Sequence, residues 1–285
     1  MIFQSLYWLK SANTNLKMNK IFYILIIAIT LGSCSPYQKA LKSEDVTLKY
    51  EVASKMYEAG KYTKAIRLFE QIAPTYRGKP GAEKMFYMYA QSYYKTKQYY
   101  SAGYQFESFA SSYPKSEKLE EAAYLGAESY SNLSPRYSLD QVDTNKAIDK
   151  LQNFINAYPN SSYLPQANER VKTMREKLEK KAFEIAKQYH TIGGYTRDYS
   201  AAIRALDNFM ADYPGTSLKE DALYYRFDSA YILAVNSIEN KKRERLDFAK
   251  ASYATLIKFN ESTKYKAEVD KKLADIEQQL QQFSN

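Results

Sequence analysis

The side chains that most often perform chemistry are scarce in this chain. It has one histidine, His190, and one cysteine, Cys34, in 285 residues. A single imidazole, placed near a helix end beside Tyr189, leaves no spare base for a serine–histidine–acid relay and offers one ligand where a zinc site needs three or four. A lone cysteine excludes an internal disulfide framework and a cysteine metal cluster. Carboxylates are plentiful, but Glu120-Glu121 and Glu220-Asp221 stand where helices begin, and negative charge there suits the helix dipole. Ile192-Gly193-Gly194-Tyr195 reads as a helix stop and lacks the spacing of a phosphate loop. The expectation is no catalysis, no cofactor and no metal. What the chain has in abundance is tyrosine, 29 residues, each an apolar ring with a polar tip.

Cys34 suggests a different chemistry, acylation. From Met18 the chain reads one lysine, an apolar run Ile21–Leu31, then Leu31-Gly32-Ser33-Cys34. As a helix that run spans about 16 Å at 1.5 Å per residue, against roughly 30 Å of hydrocarbon. It is too short for a permanent span and suits the core of an export signal. Cys34 could instead be a buried thiol or a stray residue, but the residues before it resemble a bacterial lipobox, whose cysteine is lipidated and becomes the new N-terminus. Palmitate-type chains there would hold the protein to a bilayer, since each buried methylene contributes about 0.8 kcal/mol. Ser35 follows, not an aspartate, which points to the outer membrane. Residues 1–33 are therefore expected to be a signal peptide, with 1–17 from an upstream start, and 34–45 a lipidated polar tether.

The rest of the chain repeats one unit. Aligned on a first alanine, Ala65, Ala102, Ala147, Ala202 and Ala249 are followed at offsets 4, 7 and 11 by large, mostly aromatic residues. Phe69, Ile72 and Tyr76 occupy these offsets in the first copy; Phe106, Phe109 and Tyr113 in the second; Leu151, Phe154 and Tyr158 in the third; Leu206, Phe209 and Tyr213 in the fourth. The fifth has Tyr253 and Leu256, then Asn260. That is the stripe of an amphipathic helix. Prolines 114, 159 and 214 close copies two to four, because the residue before a proline leaves the α region. Upstream of each lies a partner helix with its own small residue: Ala53, Ala90, Ala127, Ala186 and Ala230. An alanine at a helix crossing lets the axes approach. Five copies 37 to 55 residues apart predict an all-α solenoid of helical hairpins. Ala53, Gly60, Tyr62, Ala65 and Phe69 resemble the tetratricopeptide repeat, which is assigned to residues 46–262.

Three departures from regularity stand out. Copy three carries an extra loop within 131–145. Tyr163–His190 reads as one long helix with Ala167, Val171, Met174, Leu178, Ile185 and Tyr189 inward, stopped at Gly193-Gly194. The run Glu239–Arg245 reads as a solvated loop or as a contact for lipid phosphate or an acidic partner. A final helix within 263–285, with Val269, Leu273, Ile276, Leu280 and Phe283 on one side, has the wet second face of a terminal cap. The formal charge of +9 forms no continuous basic stripe, so a soluble surface is a better reading than nucleic-acid binding.

On the first helices of the hairpins, the positions three before and four after the small residue hold Tyr50, Tyr57, Tyr87, Tyr94 and Tyr124. These tyrosines either pack the helices together or line a half-wet groove for an extended peptide. Gln91, Lys84 and Lys187 share those faces and could reach backbone carbonyls or a terminal carboxylate.

The lipobox, five repeats and the closing motif Tyr-Pro-x-[Ser/Thr] (Tyr113–Ser116, Tyr158–Ser161, Tyr213–Thr216) resemble the BamD family of outer-membrane assembly lipoproteins. Ala222-Leu223-Tyr224-Tyr225-Arg226 is similar to a helix that family carries in its last repeat. The resemblance covers roughly residues 31–275. It implies a non-enzymatic subunit of the β-barrel assembly (BAM) machinery on the periplasmic side of the outer membrane. Its N-terminal repeats would receive unfolded barrel precursors at Tyr50, Tyr57, Tyr87, Gln91, Tyr94 and Tyr124. Its C-terminal repeats, with Tyr224, Tyr225 and Arg226, would dock on the barrel insertase beside other assembly lipoproteins. The alternative is another periplasmic tetratricopeptide adaptor tied to the cell wall or to division.

Overall fold

In a computed structural model of the chain, residues 36–283 are described and fall into twelve helices without a strand among them. The leader and Cys34 lie outside the described residues. The helices are α1 (Pro36–Lys42), α2 (Val46–Glu58), α3 (Tyr62–Tyr76), α4 (Ala82–Lys95), α5 (Tyr99–Ser112) and α6 (Leu119–Ser131). They continue as α7 (Val142–Ala157), α8 (Leu164–Thr196), α9 (Ser200–Asp212), α10 (Lys219–Val235), α11 (Glu239–Phe259) and α12 (Lys266–Gln281). The fold is all-α and built of helical hairpins. Two compact units divide it: one holds the described residues up to Leu133 with Asn153–Leu164, the other Ser134–Gln152 and everything from Pro165. No described helix is long and apolar enough to cross a membrane.

The repeat seen in sequence is the buried skeleton of both units. Ala65, Ala102, Ala147, Ala202 and Ala249 have no exposed surface, and Phe69, Phe106, Leu151 and Leu206, four residues on, have none either. The partner alanines 53, 90, 127, 186 and 230 are buried as well. In the first unit α2, α4 and α6, the leading helices, also touch one another in succession. In that unit α5 and α6 pack tightly, through a glycine on each. A Cβ on Gly103 would lie 2.9 Å from the Tyr130 ring, and one on Gly126 would lie 3.2 Å from Cβ of Phe106.

The closing motif has a second role beyond ending a helix. Ser116 Oγ donates to Glu83 at 2.6 Å and Ser161 Oγ to Glu120 at 2.5 Å. Thr216 donates to Glu179 and Thr263 to Glu220 in the same manner. Each of these hydroxyls also accepts the backbone N–H two residues on, opening the next helix. Three of these clasps tie the start of one helix to the start of the helix two further on, and the fourth ties the start of α10 to Glu179 midway along α8. Glu120 and Glu220, which suit the helix dipole by their place in the first turn, serve this contact too. Ser161→Ala is expected to cost about 1 kcal/mol, the net worth of a half-buried hydrogen bond, measurable as a shift in the urea midpoint.

Several carboxyls in the second unit sit below their ordinary values. Glu220 is lowered chiefly by the Thr263 hydroxyl and Glu268 chiefly by the Lys272 ammonium, burial opposing in both. For Asp221 burial acts upward, but Lys264 and the Tyr265 hydroxyl more than reverse it. Depressed folded values add stability that is present above the unfolded carboxyl pKa of about 4 and is lost as pH falls through the lower folded values. Denaturation midpoints followed by circular dichroism should start to fall below about pH 6.5, where the half-buried His190, whose pKa burial lowers, must take up a proton, and decline further below about 4 as these carboxyls protonate.

Four expectations change. Residues 36–42 of the supposed tether form α1, because Tyr37 and Ala40, one turn apart, bury against α2 and α3. Asp45 then caps α2 by accepting from the N–H groups of Thr47 and Leu48. The charged run from Glu239 to Arg245 is helical, forming the first turns of α11, since lysine, glutamate and arginine are good helix formers and Leu246 anchors them in the core. Gly193-Gly194 does not stop α8, which runs on to Thr196; Gly193 is a close-packing position whose added Cβ would meet the Tyr199 ring at 2.8 Å.

The fourth concerns which side of α8 faces inward. Ala167, Val171 and Met174 are buried as expected, but beyond Leu178 the buried residues are Phe183, Ala186 and Gly193, while Ile185 and Tyr189 face out. Five residues separate Leu178 from Phe183, a rotation of about 140° from one apolar stripe to the next. One continuous helix thus serves two packing surfaces, and a single stripe drawn along it cannot follow both.

Candidate functional site

The first unit has a cleft of about 570 Å³ opening between α2, α4, the turn before α4 and the start of α6. Tyr57 comes from the last turn of α2 and Tyr87 from the second turn of α4, which places the two rings on neighbouring leading helices. Tyr57 rests edge-on against Tyr62, with ring centroids 5.6 Å apart. Tyr87 leans on Phe109 at 5.5 Å and Phe106 at 6.3 Å. Met88 and Phe109 complete the apolar wall, while Lys84 and Lys118 bring positive charge and Glu58 and Glu83 negative charge. Gly81, at φ +79°, lets the backbone turn tightly over the Tyr50 hydroxyl, 3.6 Å from where a Cβ would stand.

The polar tips in the cleft are held in place. Gln91 Nε2 donates to the Tyr87 hydroxyl at 2.7 Å. Lys118 Nζ lies 5.7 Å over the Tyr87 ring and 3.0 Å from Glu121. Burial, followed by the nearby Glu121, raises the Tyr87 phenol well above its usual value, so it stays a neutral donor. Lys118 is raised mainly by Glu121 and stays charged. An apolar recess with phenol, amide and ammonium groups on its rim can hold an aromatic side chain and a carboxylate together.

Of the tyrosines singled out in sequence, the cleft gathers Tyr57 and Tyr87, with Gln91 orienting the latter. Tyr50 stacks on Tyr76 at 5.0 Å beneath it. Tyr94 points elsewhere, donating to Glu128 at 2.9 Å with its ring against Tyr99 and Phe106. Tyr124 is buried and stacked on Tyr163 at 4.5 Å, so its ring packs α6. Lys118, Met88 and Phe109 were not anticipated. Phe109 belonged to the core stripe of α5, and Lys118 sits just before a helix, where no periodicity marks it.

In the second unit the Tyr224-Tyr225-Arg226 triplet is turned largely inward. Tyr224 stacks on Tyr265 at 3.7 Å and donates to Glu268 at 2.8 Å. Tyr225 lies 5.3 Å from the His190 ring under the Lys187 ammonium. Arg226 donates to Asp207 at 2.5 Å and to Ser252 at 2.8 Å, over the Phe248 ring. These residues hold α10 against its neighbours. His190 is not at a helix end but within α8, half-buried. Its Nε2 lies 3.2 Å from Asp228 and its Nδ1 2.9 Å from Ser229. Burial presses its pKa below the ordinary value, with Asp228 opposing and Lys272 and Lys187 adding to the fall. Among the described residues no group of three histidine, cysteine or acidic side chains is placed to hold a metal ion.

The hairpins define a class of protein, a helical-repeat scaffold, here with an aromatic cleft in its first unit. A family model described as outer membrane lipoprotein, YfiO, matches residues 42–197. The chain belongs to this BamD-like family of outer membrane lipoproteins. No curated protein matches it in sequence. Two crystal structures of nearly identical TPR-like repeats from a candidate kinesin light chain of Podosopora anserina are similar at 18% identity with a TM-score of 0.30. One, a point variant, covers 77% of this chain and 96% of its own; the other covers 78% and 98%. Tetratricopeptide-type and YfiO-type proteins are in general non-catalytic.

Proposed function

We propose that this protein is the precursor-receiving lipoprotein of the outer-membrane β-barrel assembly machinery. In this reading the signal peptide is removed, Cys34 carries the acyl chains, and the repeats hang in the periplasm. The first unit receives unfolded barrel precursors, and repeats four and five dock on the insertase. Tyr224, Tyr225 and Arg226 would serve that docking by keeping α10 rigid, not by touching the partner. The protein works by holding other polypeptides and catalyses nothing.

The observation that carries the reading is the Tyr57–Tyr87 cleft in a chain of this family. A barrel precursor ending in an aromatic residue offers a ring for the Met88–Phe109 wall and a carboxylate for Lys84 or Lys118. The test uses the full mature protein and a synthetic peptide copying the last strand of a barrel. Combined Tyr57→Ala and Tyr87→Ala should weaken binding about tenfold or more, as expected for paired aromatic anchors, and amidating the peptide's C-terminus should weaken binding to the unaltered protein. Equal affinity of the double variant and the unaltered protein would reject the cleft as the receiving site.

A further inference from the structure

The two-faced packing of α8 leaves a third face uncovered. Ile185, Tyr189 and Ile192 are 48%, 43% and 42% exposed and recur at the i, i+4, i+7 spacing of one helical stripe. Beside them the loop before α7 presents Tyr137 and Leu139, both exposed. Lys181 Nζ donates to the Leu139 carbonyl at 2.6 Å and so pins the loop against the helix. Between loop and helix lies a recess of about 510 Å³, lined from the loop by Tyr137 and Ser138 and from the helix by Lys181, Glu184, Ile185 and Lys187, with Gln188 and Thr191 completing it.

We propose that this recess and stripe dock an amphipathic helix of another protein, one whose apolar edge is flanked by carboxylates. The stripe spacing is that of a helix laid along a helix, and the recess beside it accepts the partner's large side chains. The charge is one-sided. Lys181 and Lys187 line the recess with Glu184 as the one carboxylate among its lining residues, and Lys180 neutralises Glu184 at 2.7 Å, which leaves the lining net positive. A second copy of this chain would bring the same cations against them. A bilayer would be met best by a protruding apolar ridge, whereas this surface is concave. The site lies in the second unit, so it stands or falls apart from the Tyr57–Tyr87 cleft.

The test uses the full mature chain and a designed three-heptad helical peptide with leucine along one edge and glutamate on the flanks, plus a counterpart with lysine on the flanks. Fluorescence anisotropy should show the glutamate peptide binding about tenfold or more tighter than the lysine one, as charge complementarity requires. Ile185→Asp with Tyr189→Asp should reduce that affinity by at least about tenfold. Lys181→Glu with Lys187→Glu should reverse the preference between the peptides, a readout that also serves if the first variant is destabilised. Tyr57→Ala should leave both affinities unchanged. Equal binding of the two peptides would overturn the proposal. So would a concentration-dependent dimer, or binding to anionic phosphatidylglycerol vesicles, that the stripe variant abolishes while peptide binding stays unchanged.

Discussion

The Phe106→Ala variant is expected to lose about 3–5 kcal/mol of unfolding free energy, the usual cost of emptying a buried phenylalanine site. Phe106 has no exposed surface and sits where α5 and α6 pack tightly, beside Gly126. Backbones already that near have little room to collapse into the void. The Tyr87 and Tyr94 rings pack against Phe106 at 6.3 and 6.5 Å, so peptide affinity should fall with stability. Phe106→Leu, which retains most of the volume, should cost clearly less. Urea denaturation followed by circular dichroism measures both. A loss under about 1 kcal/mol would mean that the α5–α6 contact is far more compliant than its geometry implies.

Removing the carboxylate at position 228 comes second in size. Asp228 is buried and receives Lys272 Nζ at 2.5 Å and His190 Nε2 at 3.2 Å, which links α10 to both α12 and α8. Asp228→Ala leaves a half-buried ammonium with Glu268 as its remaining anionic contact beside the Tyr224 and Tyr231 rings, and an imidazole hydrogen-bonded to Ser229. Breaking a buried pair from one side costs about 3–5 kcal/mol; the surviving Glu268 contact argues for the low end, about 3 kcal/mol. Asp228→Asn keeps the acceptor oxygen and loses the charge, so it should cost less than the alanine variant. Thermal unfolding of the two side by side checks that order, and equal losses would show that packing, not the ion pair, holds these helices.

The aromatic recess was only partly visible in the chain. Tyr57 and Tyr87 stand out because they keep a fixed distance from a small residue on successive leading helices. Tyr94 and Tyr124 keep the same distance, yet one spends its hydroxyl on Glu128 and the other its ring on Tyr163. The position on a helix tells which way a side chain leaves the backbone. Whether a neighbour is there to receive it depends on the adjoining hairpin. For the same reason Tyr224, Tyr225 and Arg226, which the family resemblance marks as a docking edge, have side-chain neighbours of their own, Tyr265 and Glu268 at Tyr224 and Asp207 and Ser252 at Arg226.

The sequence by itself determined the hairpin repeat, the alanines at the crossings and the helix-ending prolines. These follow from local rules: a period of 3.6 residues, the size of a side chain at a contact, and the backbone limits of proline. The tertiary structure alone decided which tyrosines remain accessible, that α8 turns one face inward and then another, and that the clasping serines and threonines reach a glutamate 33 to 43 residues earlier. Those outcomes depend on pairs of groups far apart in the chain, and no periodicity records a partner that only folding brings within hydrogen-bonding distance.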